Sequence, residues 1–101
     1  MNNDKILNLI GLAMRSRKVT LGQDAVFAKL PNESLKMIFL ASDAGNNTKK
    51  KVHDKAKTYN ATLVDRFTSD ELSKAIGKQN RRVLLVTDKG FINKFKEYLY
   101  S

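Results

Sequence analysis

Apolar residues recur along this chain in two alternating rhythms, one with the three-and-four spacing of a helix face and one nearly continuous over a short run. The first rhythm opens at the N-terminus. Ile6, Leu9, Ile10, Ala13 and Met14 fall on one side of a helix over Asn2 to Arg15, which Asn2 or Asn3 can cap and whose first turn suits Asp4. Lys18 to Leu21 then reads as a short strand. Gly22 starts a second helix whose Ala25, Val26 and Leu30 face inward until Pro31 ends it. Leu35 to Ala41 is almost uninterruptedly apolar, as a strand covered on both faces must be, and is the expected central strand. A loop over Ser42 to Asn47 leads to a helix opened by Thr48, with Val52, Ala56 and Tyr59 as its buried stripe. Ala61 to Phe67 is a third strand. Thr68-Ser69-Asp70-Glu71 has capping-box spacing, so a short helix carrying Leu72, Ala75 and Ile76 follows and stops at Gly77. Val83 to Val86 repeats the doubly covered strand, and Asp88 can cap a last helix with Phe91, Phe95, Tyr98 and Leu99 on one side.

Helix and strand thus alternate from end to end, with crossovers long enough to hold helices and no two-residue hairpin turn. That order selects a three-layer α/β/α sandwich around a four-stranded sheet. The sheet is expected to be mixed, because the short first strand can run opposite to a neighbour. A length of 101 residues suits a single domain over 1–101, and no linker, repeat or low-complexity stretch divides it.

Composition narrows the function by exclusion. An apolar fraction of 42% with one proline and five glycines fits a globular chain. No apolar run approaches a membrane span, and Met1-Asn2-Asn3-Asp4 lacks the basic start of a signal peptide, so a cytoplasmic protein that does not enter membranes is expected. Without cysteine, and with His53 as the single histidine, neither a disulfide nor a metal cluster is expected. Neither G-x-x-x-x-G-K-[ST] nor G-x-G-x-x-G nor a G-x-S-x-G elbow occurs, so no cofactor and no enzyme activity are expected. Asp43 and Asp88 do follow strong strands, where α/β folds place catalytic carboxylates. Asp88 is equally a helix N-cap and Asp43 a turn residue beside Gly45 and Asn46, and the structural reading is the better one for both.

Charge is the informative quantity. Nineteen Lys and Arg against ten Asp and Glu leave a formal +9, which calls for a polyanionic partner. Nucleic acid is favoured over a membrane surface because the cations are spread over several segments instead of lining one amphipathic helix. Arg15, Arg17 and Lys18 precede the strand that ends at Gly22, Lys49 to Lys51 stand at a helix start, and Arg81 and Arg82 precede the last strand. A glycine closing a strand and opening a helix lets backbone approach a phosphate closely, and the helix turn behind it attracts anions. The lysines from 49 to 57 are either a phosphate-binding face or a solvated one. The reading requires these separate clusters to converge on one edge of the sandwich beside Gly22.

Several stretches resemble one family. The Lys18-Val19-Thr20-Leu21-Gly22 passage into a second helix, the Ile38-Phe39-Leu40-Ala41-Ser42-Asp43-Ala44 strand ending and Leu72-Ser73-Lys74-Ala75-Ile76-Gly77 look like the ribosomal L-seven-Ae / L-thirty-e family. Gly11-Leu12-Ala13 with Arg15, Arg17, Lys18 and Gly22, and Thr87-Asp88-Lys89-Gly90-Phe91, are similar to its small bacterial YlxQ-type members. The resemblance covers essentially the whole chain. It implies an L-thirty-e-like sandwich that binds RNA, commonly the kink-turn, a sharply bent helix with sheared G·A pairs.

Members present a Gly-x-Asn-Glu-x-x-Lys segment to those pairs. Here Gly22 matches, but Asp24 stands in the asparagine place, Ala25 in the glutamate place and Ala28 in the lysine place, with Lys29 one residue late. A carboxylate accepts but cannot donate, and the alanines offer no polar contact. The loop before the last strand, often apolar in kink-turn binders, is Lys78-Gln79-Asn80-Arg81-Arg82 here, suited to gripping backbone. Together these features predict a noncatalytic RNA-binding protein of the translation apparatus, with ribosomal or other structured RNA as partner and the ribosome as a further one. Its contacts are expected from Arg15, Arg17, Lys18, Gly22, Gln23, Asp24, Lys29, Asp43, Arg81 and Arg82. The alternative is an adapter docking on a protein or ribonucleoprotein partner. An RNA methyltransferase module is the least supported reading, because the chain stops at Ser101.

Overall fold

In a computed structural model that describes residues 2–100, the described residues form five α-helices and four strands in the predicted order. Helix α1 spans Asn3–Arg15, strand β1 Val19–Leu21, helix α2 Gln23–Lys29 with a 3-10 turn at Leu30–Asn32, and strand β2 Met37–Leu40. Helix α3 spans Asn46–Thr58, strand β3 Thr62–Val64, helix α4 Ser69–Ile76, strand β4 Val83–Val86 and helix α5 Lys89–Tyr100. The strands form one sheet in the order β1-β4-β2-β3. β2 and β3 run parallel, while β4 lies between β1 and β2 and opposes both. β1, β2 and β3 therefore finish at one end of the sheet, called the upper end below, and β4 begins there.

Every residue of β2 and β4 is buried, as their unbroken apolar runs require of strands covered on both faces. On one face α1 packs on α4 and α5, and Phe39 of β2 meets Phe95 of α5 edge-on with ring centroids 4.9 Å apart. On the other, α2 lies against β1 and β4, and α3 against β2 and β3. Lys55 of α3 reaches over the Phe27 ring of α2, 5.7 Å from its centre. Each fully buried Leu, Ile or Phe stabilises this sandwich by about 1.5–3 kcal/mol relative to an exposed one.

The predicted boundaries moved for local reasons. The central strand is shorter than Leu35 to Ala41, with Leu35 outside the pairing and 37% exposed. The third strand stops at Val64, and Phe67 instead fills the core from the loop, its carbonyl accepting from Ser42 N–H at 2.8 Å. Gly22 is the N-cap of α2 and not its first residue, at φ 88 and ψ 151, a backbone region open essentially to glycine. Pro31 sits inside the 3-10 turn instead of ending the segment, since no donor is needed there. α3 begins two residues before Thr48, behind an N-cap at Gly45. Asn2 makes no capping bond, and its side-chain amide donates to the Tyr98 carbonyl at 3.0 Å, tying α5 to the start of α1.

The caps read from the sequence around α4 and α5 are formed. Thr68 Oγ1 accepts from Glu71 N–H at 3.2 Å while Glu71 Oε1 accepts from Thr68 N–H at 3.0 Å. Asp88 Oδ2 accepts from Phe91 N–H at 3.0 Å. A third carboxylate ties the loop after β2 to the start of α4, with Asp43 Oδ1 accepting from Ser69 N–H at 2.8 Å and Oδ2 from the Ser69 hydroxyl at 3.0 Å. These bonds, the Ser69 N–H first and its hydroxyl second, hold the Asp43 carboxyl below its ordinary value, and the Arg82 charge adds to them.

Two expected outcomes follow from this packing. α1 and α4 cross so closely that a Cβ on Gly11 would lie 2.9 Å from the Ala75 carbonyl oxygen. Gly11→Val should cost about 1–3 kcal/mol by overpacking and lower the thermal midpoint, and an unchanged midpoint would show that the helices part freely. Because folding lowers the Asp43 pKa, its contribution is complete above the unfolded value of 3.8 and is lost as pH falls through the folded one. The stability gap between wild type and Asp43→Ala should thus be constant near neutrality and close under acid, as read by denaturant melts across pH.

Candidate nucleic-acid interface

Strand direction decides which loops meet at the upper end. Gly22 leaves β1 there, Arg81 and Arg82 enter β4, and α3 starts after β2. Gly22 N–H donates to the Val83 carbonyl at 3.0 Å and Ala41 N–H to the Arg82 carbonyl at 2.8 Å, which pins the three segments together. Gly22, Gln23, Thr48, Asn80, Arg81, Arg82 and Val83 line a cleft of about 180 Å3. The lining offers amides, a hydroxyl and two guanidinium groups, with no carboxylate and no imidazole.

Arg81 is held by its backbone and left free at its tip. Its N–H donates to the buried Ser73 hydroxyl at 2.9 Å, and that hydroxyl donates back to the Arg81 carbonyl at 3.4 Å. Arg81 Nε is buried and has no hydrogen-bond partner, alone in this among side-chain nitrogens and oxygens of the described residues. Leaving such a donor unmet costs about 1–3 kcal/mol. Arg82 beside it is exposed. Across the cleft, α3 has neither a side-chain cap nor an acidic residue in its first turn, so its free N–H groups add to the positive field around Thr48 and Lys49. Asn80 takes φ 56, which asparagine tolerates, and this bends the loop into the cleft wall.

The sequence pattern does not mark Thr48 as part of this site, whereas Asn80 belongs to the Lys78-to-Arg82 loop expected to grip backbone. Thr48 is brought in by the parallel β2–β3 crossover, which no local signal announces, although the helix start beside Lys49 hints at it. Asp24 lies exposed in the first turn of α2, near the cleft but not lining it, and Ala25 and Ala28 are exposed further along that helix. Asp43 stands at the upper end too, with both carboxyl oxygens engaged by Ser69, so its place is in the frame of the cleft.

The expected convergence of every cation beside Gly22 does not occur. β1 carries Arg17 and Lys18 to its lower end, about 13 Å from Gly22 at the usual strand rise, and α2 returns Lys29 to the same place. There Arg17, Lys18 and Lys29 line a separate hollow of about 340 Å3, in which Lys18 Nζ approaches Asp88 Oδ1 to 3.9 Å. Arg15 borders a third region, the groove between α1 and α4 near Leu12 and Lys74. The antiparallel entry of β4 is the reason: Arg81 and Arg82 come before their strand at the upper end, whereas Arg17 and Lys18 come before a strand that points the other way. Among the described residues no three of His, Asp and Glu gather as metal ligands, and no helix is long and apolar enough to cross a membrane.

Known proteins share this architecture and sequence. The chain is 43% identical over 98 residues to the RNA-binding protein YlxQ of Enterococcus faecium, covering 97% of this chain and 94% of that one. It is also 43% identical over 86 residues to the RNA-binding protein YlxQ of Bacillus subtilis strain 168, covering 85% and 86%. A solved Bacillus halodurans protein of unknown function superimposes with a TM-score of 0.88 at 36% identity, over 96% of this chain and 98% of the other. The Giardia lamblia 15.5kD RNA binding protein has the same fold, with a TM-score of 0.77 at 14% identity over 96% and 83% of the two chains. The sequence model that matches residues 4–96 agrees with these likenesses, and the chain belongs to the Ribosomal protein L7Ae/L30e/S12e/Gadd45 family.

Proposed function

We propose that this chain is a noncatalytic RNA-binding protein that receives a sharply bent, kink-turn-like RNA in the cleft at the upper end of its sheet. The observation that carries the reading is the pairing of Arg81, its backbone held by Ser73, with the exposed Arg82 beside the Gly22 turn, in a cleft whose lining holds no carboxylate. Guanidinium groups with no carboxylate beside them in the lining are stabilised when an acceptor arrives, and phosphate or a base carbonyl is the acceptor that the net charge of +9 selects. The absence of a Cβ at Gly22 lets RNA backbone come against the turn, and the Gln23 and Asn80 amides supply both donors and acceptors for base edges. With no acid, base or nucleophile pair in the lining, the cleft holds a ligand and does not transform it.

Base readout departs from the family segment. Asp24, Ala25 and Ala28 provide no donor, so recognition leans on RNA shape and backbone, and the guanidinium pair replaces the apolar loop that packs on an unstacked nucleotide. The RNA-binding names of the relatives and the family assignment support the same reading.

Fluorescence anisotropy with a kink-turn RNA and a straight duplex of the same composition tests it. The bent RNA should bind at least about tenfold more tightly, with log affinity falling against log salt by roughly 0.7 to 0.9 per phosphate neutralised. Arg82→Ala should weaken binding and flatten that slope by about one phosphate. Equal affinity for the two RNAs would remove the bend from the proposal, and an affinity indifferent to salt would remove the RNA.

A further inference from the structure

The hollow at the lower end is built around a strained arginine. α1 closes with Arg17 N–H donating to the Met14 carbonyl at 3.0 Å and Lys18 N–H to the Ala13 carbonyl at 2.9 Å, a turn whose penultimate residue must take positive φ. The same closure ends α3 through Asn60 and Ala61, at 3.4 and 2.8 Å, and α4 through Gly77 and Lys78, at 3.2 and 3.0 Å. In those two the positive-φ place is held by Asn60 and Gly77, the residue types that tolerate it. At α1 it is held by Arg17, at φ 60. Glycine would close this turn with less strain, so the fold does not ask for the arginine.

What Arg17 adds is charge in a concave place. It joins Lys18 and Lys29 around the hollow of about 340 Å3, with Thr20 and Thr87 as hydroxyl donors. The one carboxylate in the lining, Asp88, is engaged by Phe91 N–H at 3.0 Å and approached by Lys18 at 3.9 Å. Three cations facing one occupied carboxylate leave the hollow positive.

We infer that this hollow binds phosphates of the same RNA as a second contact, so that the chain grips the bend at the upper cleft and the flanking strand at the lower end. The inference rests on the RNA-binding reading above. The two places are about 13 Å apart along β1, a distance that a few nucleotides span. Between them α2 exposes Asp24 in its first turn and then Ala25 and Ala28, which project only a methyl group and leave a backbone room to pass on the side away from the carboxylate.

The test uses the full chain, an Arg17→Gly/Lys29→Ala variant, and two RNAs with the same bend, one trimmed at the bend and one extended by a helical turn. Wild type should bind the extended RNA about tenfold more tightly than the trimmed one. The variant should bind both as wild type binds the trimmed one, with a salt slope on the extended RNA shallower by roughly 1.4 to 1.8, two phosphates' worth. Arg17→Gly alone should raise the thermal midpoint by about 4 °C or more as the strain is relieved, which separates lost binding from lost folding. If the wild type gains nothing from the extension, the second contact is overturned while the upper cleft stands. If neither RNA binds, the RNA reading fails, and amide NMR with inorganic tripolyphosphate decides the hollow alone. Shifts at Arg17, Lys18, Thr20 and Thr87 that the variant loses support an anion site, and their absence overturns it. Shifts with polyglutamate where RNA gives none overturn the inference in favour of an acidic protein.

Discussion

The antiparallel seating of β4 between β1 and β2 is the constraint on which the rest of the molecule depends. A fully buried strand must pair on both sides, because an unpaired peptide group inside the sandwich costs as much as a lost hydrogen bond. Once Val83–Val86 lies in that slot, the loop before it is delivered to the end where β1 and β2 finish. Gly22, Arg81, Arg82 and the start of α3 become neighbours for this reason alone, although they are far apart along the chain.

Around that slot, short polar ties set the shape of the surface. Ser73 fixes the Arg81 backbone from inside α4, and Asp43 fastens the β2–α3 loop to Ser69. Both bonds end on α4, whose capping box at Thr68 and left-handed Gly77 give it firm limits at either end. The cleft is thus bounded by segments with few ways to move. A preorganised set of donors binds without first losing much freedom, which suits a site that reads the shape of a ligand.

The surplus of cations is divided, not pooled. One group sits where the backbone is pinned by the sheet, the other at the closing turn of α1, and α2 joins them as a nearly bare ridge. An RNA is long compared with this domain, and under the proposed reading two modest electrostatic contacts would give register and orientation that a single cluster of the same charge would not. Of the carboxylates near these groups, Asp43 gives both oxygens to Ser69, Asp88 caps α5 through Oδ2 while Oδ1 approaches Lys18, and Asp24 lies exposed on α2.

Much of this was legible in the residues. The period of the apolar positions located the five α-helices and four strands of the described residues, the apolar runs at 35–41 and 83–86 identified the interior strands, and Thr68, Glu71, Gly77 and Asp88 marked helix ends through chemistry that acts within a few residues. Charge selected the class of partner for the same reason, since net charge is a sum and needs no geometry. Tertiary structure alone decided strand order and direction, and with them the partition of the cations. Arg17 and Arg81 look alike in sequence, each a cation just ahead of a strand. They are carried to opposite ends because hydrogen-bond pairing across the sheet, which relates residues sixty positions apart, has no signature in the neighbours of either one.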